Sequence, residues 1–381
     1  MSTPILLSTD IGSDIDDALA LLAILHHPTM DLRGIYTVNG KVAERAMIAK
    51  RLVECAARPL EIACGSSAAR SHMAPYSVME EALIDDAYLD YERMQTEDLS
   101  DLYYQPLSRL GIHTDAVERM AVALEREPHI VFSLAPMTDI ATLLEHHPQA
   151  AKQIERLYIM GFRLNGELEH NVRFDTKAAH LVMQSDVPIT IIPGDLCRRY
   201  RMPLKRADNL QSPEGRYVSS MLDAFVGAQV VERSGREQGL LELVANARMA
   251  VDAIELRQRL KIEDRQRVFL ANFDIYSAYY ERDYFLADFQ QLIADLANPQ
   301  YRYPLGNALA STLASCIMSD VSVADVYVPF CHLQPETLKT AACNLDCDLA
   351  GRTIIYPGTR HTVVTDLDTS AFEQFLTASL Y

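Results

Sequence analysis

Apolar and polar positions follow two alternating rhythms along the first half of the chain. Apolar runs at Ile5–Ser8, Leu32–Val38, Glu61–Ala63, His129–Leu134, Leu157–Met160 and Pro188–Ile192 read as strands, most of them apolar enough for burial on both faces. Between them, 16–27, 43–57, 114–126, 139–146 and 175–184 carry apolar residues at helical spacing. Strand and helix in alternation argue for βαβ units, whose right-handed crossovers bring every strand's C-terminal end to one edge of a parallel sheet. Folds of this kind bind ligands at that edge. The expected class is α/β: a single open, mostly parallel sheet flanked by helices, Rossmann-like, with a helical insertion.

Two stretches break the rhythm. Residues 66–112 are polar and acidic, with Tyr88, Tyr91, Tyr103 and Tyr104 scattered through them, and 198–318 read as mainly helical with an aromatic group from Phe273 to Phe289. Those aromatics read as core or subunit-contact residues rather than a ligand stack. The tail returns to strands at Lys339–Cys347, Thr353–Tyr356 and His361–Val364 and closes on a helix over Ser370–Ser379. Without repeats, low-complexity tracts or a Gly/Ser linker, the chain reads as one domain, 1–381, with insertions around 66–112 and 198–318.

Charge narrows the function. A net charge of −17 repels nucleic acid and anionic membranes, which argues against a basic-groove function. No charged and apolar leader follows Met1 and no apolar run approaches about 18 residues, which makes the cytoplasm the expected location. Seven cysteines, an odd number, suit free thiols in a reducing compartment. Cys343 and Cys347, with Cys331-His332 nearby, fit no strong zinc spacing and read as packing thiols.

The chemistry concentrates in the turn Ser8-Thr9-Asp10-Ile11-Gly12-Ser13-Asp14-Ile15-Asp16-Asp17, where four carboxylates fall within eight residues. They sit between a buried-type strand and Ala18–Leu25, a helix too apolar to be exposed. Like charges crowded beside a core need a compensating positive charge, and oxygen donors favour a hard divalent cation, aided by the helix N-terminus. Further strand-end segments follow: Thr37–Gly40, Leu134–Ala141, Met160–Gly166 running into Glu169–Ala179, and Ser319-Asp320-Val321.

Taken in order, these segments resemble the calcium-dependent nucleoside hydrolases, the inosine/uridine-preferring ribohydrolase family. Asp10 to Leu19 matches the longer D-I-G-x-D-x-D-D-A-L form of its opening motif. Leu134–Ala141 is similar to the family segment ending T-N-I-A, Glu169–Ala179 to E-F-N-x-x-x-D-P-E-A-A, and Ser319-Asp320 stands where the family has H-D-P. The resemblance implies the nucleoside hydrolase fold and hydrolysis of the N-glycosidic bond of ribonucleosides to free base and ribose. It implies Ca²⁺ bound by Asp10, Asp17, the Leu134 carbonyl and Asp320, with Asp10 also taking the proton of a Ca²⁺-bound water. Asp16 falls where a carboxylate grips the ribose diol. Glu169 and Asn171 match the pair that holds the 5′- and 3′-hydroxyls. Asn39 and Met160 fall near ribose contacts, and Asn165 stands in for a loop asparagine. A homo-oligomer, dimer or tetramer, and a role in base salvage are implied as well.

Departures from the motif fall on the leaving-group side. Ser319 replaces the usual histidine, His170 replaces the aromatic between Glu and Asn, and Ser8 replaces an Asp. His170 is therefore a candidate contact to the leaving base, with His72 a weaker one. The expanded turn leaves Asp14 as either a helix N-cap or a ligand. A catalytically degenerate protein that binds Ca²⁺ and nucleoside or ribose is the alternative reading.

Overall fold

The structure, a computed structural model, describes residues 4–12, 14–70, 107–203, 206, 210–219, 221 and 320–381. Most of the two interrupting stretches, and with them His72 and Ser319, lies outside those residues.

β1 (Pro4–Thr9) is buried along its whole length, as its unbroken apolar run requires of a strand covered on both faces. α1 (Asp16–His26) follows it and is buried from Asp16 to Leu25. A helix apolar all round has no face to offer water, so it is enclosed by other elements. The chain continues through β2 (Asp31–Thr37), α2 (Val42–Cys55), β3 (Glu61–Cys64), β4 (Ile112–His113) and α3 (Ala116–Arg126). Next come β5 (His129–Ser133), α4 (Thr138–His146), α5 (Pro148–Ala151), β6 (Ile154–Met160), α6 (His170–Phe174), α7 (Thr176–Gln184), β7 (Ile189–Ile192) and α8 (Gly194–Cys197). A two-stranded pair joins β8 (Met202–Pro203) to β9 (Asp320–Val321), and α9 (Tyr327–Leu333), β10 (Leu338–Cys347), β11 (Thr353–Leu367) and α10 (Thr369–Leu380) complete the described chain.

The main sheet has nine strands in the order β10-β11-β7-β6-β5-β1-β2-β3-β4. Every neighbouring pair is parallel except β10 with β11. From β1 the chain builds outward through β2, β3 and β4 on one side. It then returns to lay β5 against the other side of β1 and builds outward again through β6 and β7. The order therefore reverses between β1 and β5, and a crevice opens outside their C-terminal ends. The acidic turn leaves β1 at that point and the Leu134 loop leaves β5 beside it. Two apolar clusters cover the faces of the sheet, one built on α1, α2, α9 and α10, the other on α3, α4 and α7.

The tail differs from the two-strand expectation. Thr353–Tyr356 and His361–Val364 belong to the single strand β11, because Pro357–Arg360 is absorbed by a register shift: Cys343 opposes His361 while Asn344 opposes Tyr356. A bulge tolerates the missing proline N–H that a regular ladder would not. The short helices α5, α6, α8 and α9 carry too few turns to show a period and were not anticipated.

One helix end is built against residue preference. α2 closes in a Schellman arrangement, with Ala57 N–H donating to Glu54 O at 2.9 Å and Arg58 N–H to Val53 O at 3.0 Å. The left-handed position is Ala57, at φ 51°, where glycine carries no steric cost. Ala57→Gly is expected to stabilise the protein by about 1 kcal/mol, read as a higher denaturant midpoint at unchanged slope. A lower midpoint would show that Ala57 makes compensating contacts.

Candidate active site

At the crevice, the acidic turn is held from several directions. Gly12 adopts φ 113°, a conformation that demands glycine, and a Cβ there would press on the Ile48 Cδ1 methyl at 2.9 Å. Arg45 on α2 is fully buried beneath the turn, donating Nε to Asn39 O at 2.8 Å and Nη1 to Ile11 O at 3.1 Å and to the Asp10 carbonyl. Thr9 accepts from Ile11 N–H at 3.2 Å and donates its hydroxyl to Asp17. The backbone is thus fixed before any ligand arrives.

Asp16 and Asp17 open α1, and their carboxylates meet that of Asp325, which lies just before α9. One oxygen from each lies within 4.8 Å of the others, and all three residues are buried. Ser322 donates to Asp16 Oδ2 at 3.3 Å. Burial pushes the Asp17 carboxyl up to about 8, with the Asp10 charge adding to the shift. Burial and the neighbouring carboxylates also raise Asp16 and Asp325 well above the ordinary range. Asp10 differs. Burial alone would raise it, yet His170, the Arg45 guanidinium and the Asn39 amide together hold it below its usual value.

The second half of the site comes from β5 and the loop after β6. Asn171 Nδ2 donates to the carbonyls of Leu134 (2.7 Å) and Met160 (3.2 Å), tying the two strand ends together and leaving Oδ1 as the group it can offer a ligand. Glu169 caps α6, accepting from the N–H groups of Asn171 (3.1 Å), Val172 (3.0 Å) and Phe162 (3.3 Å). Phe162 is left-handed at φ 65°, as is Asn39 at φ 75°, so two non-glycine residues carry backbone strain beside the crevice. Asn39 Nδ2 donates to Asp10 Oδ2 at 3.1 Å, while its buried Oδ1 has no hydrogen-bond partner among the described residues. His170 Nε2 lies 3.7 Å from Asp10 Oδ2 with 37% of its side chain exposed. Burial would lower its pKa, but the Asp10 carboxylate wins and raises it.

Most residues singled out from the sequence therefore converge here: Asp10, Asp16, Asp17, Asn39, Leu134, Met160, Glu169, His170 and Asn171. Asp320 is not in the carboxylate cluster: its strand pairing (Pro203 opposite Asp320) holds it in the β8–β9 ladder, where it forms an ion pair with Arg201. The chain then turns through Ser322–Ala324 and delivers Asp325 to the cluster. A sequence signal for this existed, since Asp325 interrupts the apolar run from Val321 to Phe330. Asp16 lies in the carboxylate cluster with Asp17 and Asp325. Asp14 is not the helix cap: Ile15 occupies that position without a side-chain cap bond, and Asp14 Oδ1 accepts from Ile15 N–H at 2.6 Å. Asn165 is exposed and accepts from Glu167 N–H at 3.0 Å in a local turn. Arg45 was missed, although it falls on the apolar face of α2 with Ile48, Ala49 and Leu52. A groove of about 660 Å³ lined by Leu144, Lys152, Lys177, Leu181 and Pro188 lies at the opposite sheet edge and is no part of this site.

A hard cation fits this donor set. The clustered groups are carboxylate oxygens within 4.8 Å of one another, and burial with mutual repulsion raises Asp16, Asp17 and Asp325, so protons or a cation must neutralise them. Arg45 spends its donors on backbone carbonyls of the turn, so its charge only partly offsets the acids. Asp16, Asp17 and Asp325 could hold the ion, with Asp10 and the Leu134 carbonyl on the facing side.

Comparison with known proteins agrees with the geometry. The family model for inosine-uridine preferring nucleoside hydrolase matches residues 5–374, and the chain belongs to that family of enzymes. Pyrimidine-specific ribonucleoside hydrolase RihA of Escherichia coli O9:H4 (strain HS) is 26% identical over 245 residues, 62% of this chain and 75% of that one. Among solved structures, a purine-preferring ribonucleoside hydrolase from Gardnerella vaginalis matches with a TM-score of 0.61 at 17% identity, over 99% of this chain and 98% of its own. A plant nucleoside hydrolase gives a TM-score of 0.61 at 14% identity, over 100% and 99%. At such identities the structures bear on the fold alone. Among the described residues, no helix is long and apolar enough to cross a membrane.

The raised carboxyls set a pH dependence. Without a cation, the folded state holds protons on Asp16, Asp17 and Asp325 that the unfolded state releases near pH 3.8, so the stability they lend is full below that value and lost as pH rises towards about 8. Asp10, shifted down, acts only at lower pH. In chelator, the melting temperature is expected to fall between about pH 5 and pH 8, and millimolar Ca²⁺ should flatten that fall. Equal slopes with and without the cation would exclude the cluster as its binder.

Proposed function

We propose that the protein hydrolyses the N-glycosidic bond of ribonucleosides to free base and ribose, using Ca²⁺ held by Asp10, Asp16, Asp17, Asp325 and the Leu134 carbonyl. The observation that carries this reading is the buried Asp16–Asp17–Asp325 cluster at the end of β1, close enough to Asp10 for its charge to act on all three. Six to eight oxygens suit Ca²⁺, and the protein donors supply about this set once water and sugar hydroxyls complete it. When bound, the ion supplies Lewis acidity to a water and an anchor for vicinal hydroxyls.

The chain's own groups account for the rest. Asp10, held ionised by His170, Arg45 and Asn39, accepts the proton of the attacking water as its oxygen adds to C1′ and the C1′–N bond breaks. The sugar passes through oxocarbenium character, which the surrounding carboxylates favour electrostatically. Asn39 Oδ1 and Asn171 Oδ1 offer acceptors to ribose hydroxyls. Glu169, with three of its acceptor sites on backbone N–H groups, retains capacity for one more. Holding the sugar at these points fixes C1′ relative to the water. His170, whose Nε2 lies 3.7 Å from Asp10 Oδ2, is the titratable cation in this set able to protonate or hydrogen-bond the leaving base.

A panel of purine and pyrimidine ribonucleosides is expected to yield free ribose with Ca²⁺ present, and Asp10→Asn should lower kcat by about a thousandfold or more. Ribose bound by the wild-type protein without turnover of any nucleoside would favour the degenerate reading. Asp325→Ala should abolish Ca²⁺ binding measured by calorimetry, whereas Asp320→Ala should leave it intact. The reverse pattern would overturn the ligand assignment.

A further inference from the structure

The segment Gly65–Arg70 leaves β3 without regular structure, yet two buried carboxylates from other elements fasten it at both ends. Near its start, Ser66 N–H donates to both oxygens of Asp139, at 3.0 and 3.2 Å. At its end, Arg70 N–H donates to Asp175 Oδ2 at 2.7 Å, the same oxygen that accepts the Thr138 hydroxyl at 2.9 Å. Asp139 belongs to the first turn of α4 and Asp175 caps α7, accepting from Ala178 N–H at 3.0 Å. Both are fully enclosed, at 1% and 0% exposure.

The fastened segment in turn carries Asn39. Asn39 N–H donates to Ser66 O and Gly40 N–H to Ser67 O, each at 2.9 Å, and Gly65 N–H returns to Thr37 O at 2.8 Å. Asn39 is left-handed and needs such external ties to stay so. Gly65 records how tight the junction is: a Cβ there would lie 1.6 Å from Asp139 Oδ2 and 3.1 Å from Thr37 O. Glycine is required by that approach and not by its dihedral angles.

We propose that Asp139 is a positioning residue that acts through Ser66 to aim the Asn39 side chain at a substrate hydroxyl, with Asp175 as the second anchor of the same segment. The clause about the hydroxyl rests on the reading of the site as a nucleoside hydrolase; the positioning of Asn39 does not. The relay runs from the Asp139 carboxylate to the Ser66 amide, from the Ser66 carbonyl to the Asn39 amide, and from Asn39 Nδ2 to Asp10. Unlike Asp10, Asp139 touches no reacting atom. Its carboxylate accepts hydrogen bonds without needing its charge, and asparagine stands at this place in the T-N-I-A motif.

The test uses the full-length protein with Ca²⁺, comparing Asp139→Ala, Asp139→Asn, Gly65→Ala, Asn39→Ala and the Asp139→Ala/Asn39→Ala double variant. Amide hydrogen exchange reads the positioning independently of turnover. Exchange at Asn39 and Gly40 should speed up about tenfold or more in Asp139→Ala and Gly65→Ala and stay close to wild type in Asp139→Asn. In ribonucleoside hydrolysis, Asp139→Ala should raise KM about tenfold with Ca²⁺ affinity within about twofold of wild type, and should add nothing in the Asn39→Ala background. Unchanged exchange at Asn39, fully additive losses in the double variant, or an Asp139→Asn protein as impaired as Asp139→Ala would each overturn the proposal. If the wild type releases no ribose, the hydrolase reading fails while the exchange result still decides the positioning.

Discussion

The structure is organised around mutual repulsion of carboxylates that have been taken out of water. Asp16, Asp17 and Asp325 converge where strand order in the main sheet reverses, close enough to Asp10 to feel its charge. In a medium of low effective dielectric, such an arrangement persists only if protons or a cation neutralise it. The surrounding groups answer that constraint. Arg45 is buried under the turn to hold its carbonyls, Thr9 holds Asp17, and the leftover negative charge is directed into the crevice. Protons or a cation that neutralise the cluster would remove this opposition between stability and charge.

Architecture was largely legible in the sequence because its strands and helices carry clean periods. Burial on both faces of β1 and around all of α1 follows from runs with no polar interruption. What the periods do not show are elements shorter than their own repeat, such as α6 and α8, and a strand that survives a proline by bulging, as β11 does. Local sequence at Pro357-Gly358 calls for a turn, but a partner strand already in register overrides it.

The site was legible where chemistry and chain order coincide. The acidic turn, the Leu134 loop and Glu169–Asn171 each end a strand, so their meeting follows from parallel topology. Asp325 was not placed because order along the chain offers Asp320 first, and only the folded chain shows Asp320 paired with Arg201 in the β8–β9 ladder. Arg45 and Asp139 were missed for a different reason. Each acts on backbone groups of distant segments, and no spacing rule in a single sequence records which amide or carbonyl a buried charge will reach.

α1 and α9 together work as a caliper. Asp16 and Asp17 ride on the first turn of one helix and Asp325 sits immediately before the other, so the gap between these carboxylates is the gap between two packed helices. Behind them α10 packs against both, and Tyr327 stacks on Phe372 with ring centroids 4.0 Å apart. The closing helix thus helps to set how far apart the three carboxylates stand.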